Sequence, residues 1–253
     1  MVLNAHAPKQ NKGTVSKMPN KPLTPSEITQ KIELKGSTML GALPAAMVSC
    51  GTIEHPNIIT VAWTGIVNSQ PPVTYVSVRP ERYSHGLIMQ NKEFVINLTT
   101  KDMAYACDFC GIYTGAKVDK FVALGLTPTP SEKVSAPMIL ECPISLSCRV
   151  REVVHLGSHD MFLADIMGVS VSPALLDKTG KIHLDKANLM LSMHGAYYEV
   201  GAFLGKLGFS THQKPTQPTK AQSPIAPRNQ TPPPPAKAYT TFTGKRKPTK
   251  HKP

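Results

Sequence analysis

The sequence predicts a mainly β protein, an antiparallel and closed or partly closed barrel with a few peripheral helices. At least six short apolar segments alternate with turn residues at fairly regular spacing, which is typical of such folds. Residues 144–150 alternate apolar and polar side chains, the period-two pattern of a half-buried strand. Helical patterns are too few for a doubly wound parallel sheet, in which helices alternate with strands.

Seven segments are predicted as strands. The second of them ends in a break that is rich in Thr, Gly and Asn and contains Trp63, the one tryptophan of the chain. The sixth follows directly after the short segment HLGSHD, so we expect the fifth and sixth to form a hairpin. The predicted strands are residues 44–50, 57–63, 73–79, 93–98, 144–150, 161–171 and 196–200.

Three helices are predicted, at residues 84–91, 100–110 and 118–125. Within the second, Met103, Ala106, Cys107 and Cys110 follow the spacing of one buried helix face. The pair CDFC within it also has the form of a zinc or dithiol motif, but no second ligand pair follows at finger-like spacing. We therefore predict that these cysteines pack in the core, and we predict no metal site.

The two ends of the chain differ in composition from its middle. Residues 206–253 contain ten Lys and Arg and no acidic residue, and residues 1–35 contain six Lys against two Glu. The net charge of +12 is therefore a property of the ends. Both ends are predicted to be disordered, because they offer little apolar surface to bury and the second is rich in proline. Residues 36–205 are predicted to form the folded domain.

Neither a signal peptide nor a membrane span is apparent in the sequence. The first residues lack an apolar segment, and no run of 18 apolar residues occurs. The five cysteines then indicate free thiols rather than a disulfide framework. The expected location is the cytoplasm.

Nucleotide and hydrolase motifs are absent, but polar, aromatic and cationic residues gather at the strand ends. Neither GxGxxG after a strand nor GxxxxGK[ST] nor HExxH occurs. A helix N-terminus with nearby cations could hold a phosphate. The alternatives are that Trp63 covers core or edge, that Ser84 is a plain helix cap, and that the cations are solvated. The residues concerned are Asn57, Thr60, Trp63, Thr64, Arg79, Arg82, Ser84 and Lys120.

The order of several motifs resembles a known family. PNIITVAWTGIVNSQPPVTYVSVRPERYSHGLIMQNKEFVINL, CGIYTGAKVDKF, HLGSHDMFLADIMGV and AYYEVG occur in this sequence in that order. Together they closely resemble the flavin reductase-like family of FMN-binding split barrels, especially its flavoredoxin-type members. The resemblance spans about residues 40–202 and covers neither end. It implies a Greek-key-like antiparallel split barrel that binds FMN.

The resemblance also implies which residues contact the cofactor. By position it assigns Asn57, Trp63, Ser84, Lys120 and His159, with Ser84 and Lys120 holding the terminal phosphate. Thr60, Thr64 and Arg79 complete the predicted site from the neighbouring strand ends. An aromatic side chain from the last strand is expected as well, and either Tyr197 or Tyr198 could supply it, Tyr198 being our choice. No catalytic residue is predicted because the flavin carries the chemistry, and His159 is interpreted as a positioning residue.

The implied function is an oxidoreductase that passes electrons from NADH or NADPH through bound FMN to an acceptor. The acceptor could be free flavin, a ferric complex or a redox partner protein, and the implied assembly is a homodimer. The alternative is a non-enzymatic FMN-binding electron carrier that docks onto a larger partner through its basic tail. That tail could also bind an acidic protein surface or nucleic acid, whereas no membrane partner is expected.

Overall fold

The structure, a computed structural model, describes residues 24, 28, 29 and 31–211. Most of the two ends that the sequence predicts to be disordered, 1–35 and 206–253, lies outside the described residues. The chain divides into two compact units, Met1–Gly201 and Ala202–Pro253. The only regular element described in the second unit is a short 3-10 turn at Phe209–Thr211.

The first unit is mainly β, as predicted. Between residues 31 and 201, three α-helices accompany the strands: α1 (Tyr83–Asn91), α2 (Ala104–Ile112) and α3 (Lys120–Leu124). The strands are β1 (Leu43–Pro44), β2 (Ala46–Gly51), β3 (Pro56–Val61), β4 (Thr64–Ser69), β5 (Pro72–Val78), β6 (Glu93–Leu98), β7 (Pro128–Thr129), β8 (Met138–Ile139), β9 (Ile144–His155), β10 (Asp160–Val171), β11 (Met190–Met193) and β12 (Ala196–Glu199).

A seven-stranded sheet forms the body of the domain, with the order β3-β2-β6-β9-β10-β5-β4. All of its neighbouring strands pair antiparallel. The two edge strands, β3 and β4, follow one another in the chain and are joined only by Ala62 and Trp63. The sheet therefore curls until its edges meet at Trp63, and a split remains between them. Two small sheets, β1-β11-β12 and β7-β8, complete the described strands.

Strand β4 was not predicted, because residues 64–69 were interpreted as a break. These residues form an edge strand on β5, with a register shift between Ile66 and Asn68. The Thr74 hydroxyl also donates to the Gly65 carbonyl oxygen at 2.9 Å. Hydrogen bonds to β5 therefore keep residues 64–69 extended, although their own strand propensity is low. By contrast, the predicted hairpin of β9 and β10 is confirmed, and β9 continues five residues beyond its predicted end, to His155.

The core lies inside the curled sheet and between the sheet and the helices. Phe94, Phe162, Val48 and Val76 are buried inside, and α1 adds Ile88. On the other side, α2 and α3 pack on β3. The second cluster there contains Met47, Ile58, Cys107, Cys110 and Phe121.

The two cysteines of CDFC are core residues. Both are fully buried, and burial raises the pKa of the Cys107 thiol to about 11 and that of Cys110 to about 12. Thiols with raised pKa values are poor nucleophiles and poor ligands, since the thiolate is the reactive form. Among the described residues no cluster of His, Cys, Asp and Glu could hold a metal. The burial of both thiols and their raised pKa values support the packing interpretation.

The helix ends differ in part from the prediction. Helix α1 has Arg82 at its N-cap, and its Ser84 is a buried residue of the first turn, so the interpretation of Ser84 as a helix cap is wrong. Helix α3 is capped by Asp119, whose carboxylate accepts from the Val122 amide at 3.1 Å, and it ends at Gly125 in the left-handed region. In the described part of the chain, no helix has the length and apolar character needed to cross a membrane.

Candidate functional site

A cleft of about 240 Å³ opens where the two edges of the sheet meet. One wall is the end of β3, and the opposite wall is the end of β5. The first residues before α1, the end of α2 and the tip of the β9–β10 hairpin close it. The lining residues are Ile59, Thr60, Val61, Ala62, Trp63, Ser77, Val78, Arg79, Arg82, Gly111 and His159.

Two aromatic rings stack at the cleft. Trp63 and His159 have ring centroids 4.5 Å apart, with an angle of 37° between their planes. The Trp63 side chain stays partly accessible, at 38% relative exposure, and its backbone carbonyl accepts from the Ser77 amide at 3.0 Å. Desolvation and the nearby Arg79 lower the pKa of His159, so the imidazole favours its neutral form. The cleft therefore presents an accessible indole that the backbone of β5 holds in place.

The charged groups on the cleft wall are cationic. Arg79 pairs with Glu81 at 3.4 Å across an exposed contact, and Arg82 donates from Nη2 to the Gly111 carbonyl oxygen. None of the described lining residues is Asp or Glu. The two guanidinium groups outnumber the one carboxylate that contacts them, that of Glu81, which favours an anion, and the planar guanidinium suits carboxylate or phosphate. The wall thus combines an aromatic surface with anion-binding capacity.

A buried polar cluster lies directly behind the β3 wall. Asn57 Nδ2 donates to Ser84 Oγ at 2.7 Å, which ties β3 to the first turn of α1. Lys120 Nζ donates to the Ile58 carbonyl oxygen at 2.6 Å and to that of Cys110 at 2.9 Å. All three of these polar side chains are almost fully buried. Desolvation lowers the pKa of Lys120 accordingly.

Three polar side chains hold α2 against the cleft, two of them at its end. Thr60 donates to the Cys107 carbonyl oxygen, Lys120 donates to that of Cys110, and Arg82 donates to that of Gly111. The last carbonyls of a helix lack intrahelical partners, and the helix dipole favours cations there. Lys120 and Arg82 therefore stabilise this helix end in the position where Gly111 forms part of the cleft wall.

The predicted site residues divide into three groups. Thr60, Trp63, Arg79 and His159 line the cleft. Asn57, Ser84 and Lys120 lie just behind it with their polar atoms already bonded within the fold, and this burial supports a bracing role rather than the phosphate contact predicted for the last two. Thr64 and Tyr198 are placed elsewhere.

Thr64 and Tyr198 do not reach the cleft in the described chain. The Thr64 hydroxyl donates to the Tyr75 carbonyl oxygen at 2.6 Å, and this residue lines a separate apolar cavity. Tyr198 is half exposed on β12, opposite Leu191 in the small sheet. The adjacent Tyr197 donates to Asp108 at 3.3 Å. Side-chain direction along a short edge strand depends on register, which the sequence did not specify.

The resemblance did not assign Arg82, Ser77 or Gly111 to the cofactor site. Arg82 had a signal, since it stands beside Arg79 just before the first helix. Ser77 and Gly111 had only weak sequence signals: Ser77 is a hydroxyl residue near the end of a strand, and Gly111 is a small residue near the end of a helix. Their place on the wall follows from the curl of the sheet rather than from any local pattern.

An antiparallel split barrel with a cation-lined, indole-bearing cleft at its split defines a class of small-ligand binding proteins. Residues 40–200 match the model of the flavin reductase like domain. The chain belongs to that family, which confirms the predicted fold and supports a flavin cofactor and a flavin-related oxidoreductase activity.

Three relatives illustrate the match. The flavoredoxin of Desulfovibrio vulgaris (Miyazaki F) is 33% identical, with a TM-score of 0.67 over 73% of this chain and 100% of that chain. The flavoredoxin of Methanosarcina acetivorans is 27% identical, with a TM-score of 0.64 over 70% and 95% of the two chains. An NADPH-flavin oxidoreductase of Streptomyces viridifaciens is 28% identical over 156 residues, which are 60% of this chain and 79% of that protein.

Proposed function

We propose that the protein is an oxidoreductase that passes electrons from NADH or NADPH through bound FMN to an acceptor. The observation that carries the proposal is the cleft at the split, where an accessible indole and two guanidinium groups line a common space and no lining residue is Asp or Glu. An isoalloxazine ring needs an apolar or aromatic surface, and a terminal phosphate needs cations. The residues present therefore fit FMN, the flavin that the family resemblance implies.

The residues would divide the work of holding this ligand. Arg79 and Arg82 would bind the phosphate, and Trp63 with Thr60 would contact the ring region. The bound flavin would supply the hydride-accepting and electron-donating chemistry. No protein acid or base is needed, and His159, held on Trp63, would position the ring and exclude water from one side of it. Asn57, Ser84 and Lys120 would keep the wall in shape from behind.

The test is the colour and reactivity of the purified protein. We expect a yellow protein with a flavin absorption band, FMN as the compound released by heat, and anaerobic bleaching by NADH or NADPH. Chromatography identifies the released flavin, and absorption spectroscopy follows the bleaching. Release of mainly FAD would contradict the FMN assignment, and a colourless protein that does not take up added flavin would contradict the proposal as a whole.

The second candidate is a non-enzymatic carrier, and the composition of the tail favours it. Ten Lys and Arg without an acidic residue in 206–253 would suit docking onto an acidic protein surface or nucleic acid. Under this candidate the protein is yellow, yet neither nucleotide bleaches it directly. Reduction would then require an added redox partner, and the effect of that partner would weaken as salt screens the charges.

We further propose that a second copy of the chain covers an apolar face of the barrel. A cavity of about 450 Å³ lies there, and its described lining holds no charged side chain. Ile66, Val169 and Leu184 are more than half exposed on this face, beside the unpaired edge of β4. A charged partner surface would be desolvated without compensation, whereas the same face of a second copy is apolar as well. The cleft is also smaller than the roughly 300–1,000 Å³ of pockets that enclose a ligand, so a partner would help to cover it.

The dimer proposal predicts a dimer in analytical ultracentrifugation for the wild type and a monomer for Ile66→Glu. The glutamate would be tolerated by the monomer, because residue 66 is 65% exposed, but it would be desolvated in the interface. Val122→Glu is the matched control, since Val122 is an exposed apolar residue of α3 outside this face, and it should leave the dimer intact. A monomeric wild type would refute the proposal.

A further inference from the structure

A buried carboxylate joins three elements beside the cleft. Asp160 begins β10 and is only 6% exposed. Its Oδ2 accepts from His85 Nε2 at 2.8 Å, and its Oδ1 accepts from His155 Nδ1 at 2.8 Å. His85 belongs to the first turn of α1, and His155 is the last residue of β9. One side chain therefore ties the helix to both strands of the hairpin.

Each of these ties leads to a cationic or aromatic group of the cleft. His85 follows Arg82 by one helical turn, and its backbone amide donates to the Arg82 carbonyl oxygen at 2.9 Å. Asp160 stands opposite Val78 in the β10–β5 register, next to Arg79. It also follows His159 directly, and the His159 carbonyl oxygen accepts from the Leu156 amide at 3.0 Å, which closes the hairpin. Asp160 is therefore connected to three cleft residues: to Arg82 through His85, to Arg79 through the neighbouring Val78, and to His159 as the next residue in the chain.

The two histidines keep Asp160 ionised and fix its position. Hydrogen bonds from the two histidines, His155 first and His85 second, hold the pKa of Asp160 below its usual range, so the carboxylate is ionised at neutral pH. A buried carboxylate is favourable only with such partners, and charge-assisted bonds fix geometry more firmly than neutral ones. His85 also meets Phe162 edge-on, with ring centroids 5.2 Å apart, which fixes its ring.

We propose that Asp160 is the positioning residue of the cleft: through His85 and His155 it holds Arg82 and His159 in place to receive the ligand. The carboxylate itself does not line the cleft, so it acts through its neighbours and is not a catalytic residue. This inference rests on the proposed flavin site for its effect on binding. Its effect on the stack of His159 and Trp63 is independent of any flavin.

The single tryptophan of the chain makes the test direct. Trp63 stacks on His159, and a protonated imidazole in contact quenches indole emission, so a pH titration of Trp63 fluorescence in flavin-free protein reports both the contact and the pKa of His159. For Asp160→Ala we expect the amplitude of this titration to fall by more than half and FMN affinity to fall on the order of 10-fold, the worth of one charge-assisted hydrogen bond. Asp160→Asn keeps the shape but offers one neutral acceptor oxygen in place of two charged ones, so it should restore part of the titration amplitude and part of the FMN affinity.

The matched control is Asp177→Ala. Asp177 also accepts from a histidine, His183 Nε2 at 2.9 Å, but it lies in a loop away from the cleft. We expect this variant to lose stability while its Trp63 titration and FMN affinity stay at the wild-type level. His155→Ala is the second variant, in case Asp160→Ala does not fold. It removes only one of the two hydrogen bonds to Asp160, and its ring is largely exposed, so the protein should fold. We expect its Trp63 titration amplitude and its FMN affinity to lie between those of the wild type and Asp160→Ala.

Two outcomes would overturn the inference. One is a Trp63 titration in Asp160→Ala or His155→Ala that matches the wild type. The other is a loss in Asp177→Ala as large as that in Asp160→Ala, because stability alone would then explain both. A failure of the proposed flavin function would look different: no variant, nor the wild type, would bind FMN, while the fluorescence differences would remain.

Discussion

Replacing Gly115 with alanine is expected to lower the free energy of unfolding by about 2–3 kcal/mol, the usual cost of forcing atoms into a packed site. A Cβ at this position would lie 1.9 Å from Asn57 Oδ1 and 2.9 Å from the Tyr83 ring. Asn57 cannot easily move aside, because it is buried and its amide donates to Ser84. The new methyl group would therefore have to displace the polar cluster behind the cleft. Urea denaturation followed by circular dichroism measures the change.

Gly86→Ala is the matched control for this variant. Gly86 lies in α1, and a Cβ there would meet nothing within 4 Å. Alanine at such a helical position is expected to stabilise the protein by about 0.5–1 kcal/mol, because glycine loses more backbone entropy on folding. If Gly115→Ala and Gly86→Ala melt alike, the loop before α3 does not press on Asn57 in solution. In that case the bracing role assigned to the Asn57 cluster loses its support.

The sequence predicted those parts of the fold whose pattern is local. Residues 144–150 alternate apolar and polar side chains and pair as predicted with the strand that follows, but the prediction that this strand is half-buried is wrong. Ser145 and Ser147 are as deeply buried as Ile144 and Cys148, because neighbouring elements cover both faces of this central strand. Strand β4 lacked such a pattern: Gly65 and Asn68 are poor strand residues, and only pairing with β5 makes the segment extended. Tertiary pairing decided its conformation, and no window of sequence contains that information.

For the site, the sequence predicted residue types better than positions. Trp63 and His159 were selected separately, and the structure brings them into ring contact. A cation at residue 120 was also selected, but the sequence could not show whether its ammonium group would reach the cleft. That depends on how α3 packs on β3, which points the Lys120 side chain at two backbone carbonyls. Family resemblance assigns a residue to a site, whereas packing determines which of its atoms remain available.

Lys120→Met is expected to lower the free energy of unfolding of the flavin-free protein by about 2–4 kcal/mol. Methionine can fill the space, but the carbonyl oxygens of Ile58 and Cys110 would lose the partner that Lys120 provides, at roughly 1–3 kcal/mol each. Removal of a desolvated charge offsets part of this loss, and the lowered pKa of Lys120 shows that its burial opposes the charge. Lys117→Met is the control, since Lys117 is an exposed lysine of the preceding loop and should change stability by less than about 0.5 kcal/mol.

The same variants separate a brace from a phosphate ligand when FMN is compared with riboflavin, which lacks the phosphate. If Lys120 braces the cleft, Lys120→Met weakens the binding of both flavins by the same factor, because the wall that Gly111 and Ile59 form is displaced for either ligand. If Lys120 binds the phosphate, FMN affinity falls while riboflavin affinity and the melting of the flavin-free protein stay unchanged, and our placement of Lys120 is wrong. Arg82→Gln should add the ligand pattern to a smaller loss shared by both flavins, because Arg82 also donates to the Gly111 carbonyl oxygen. The additional loss for FMN should be about 10-fold or more and should shrink as salt screens the charge. Lys120→Met and Arg82→Gln therefore serve as controls for one another, because only a side chain that contacts the phosphate can distinguish FMN from riboflavin.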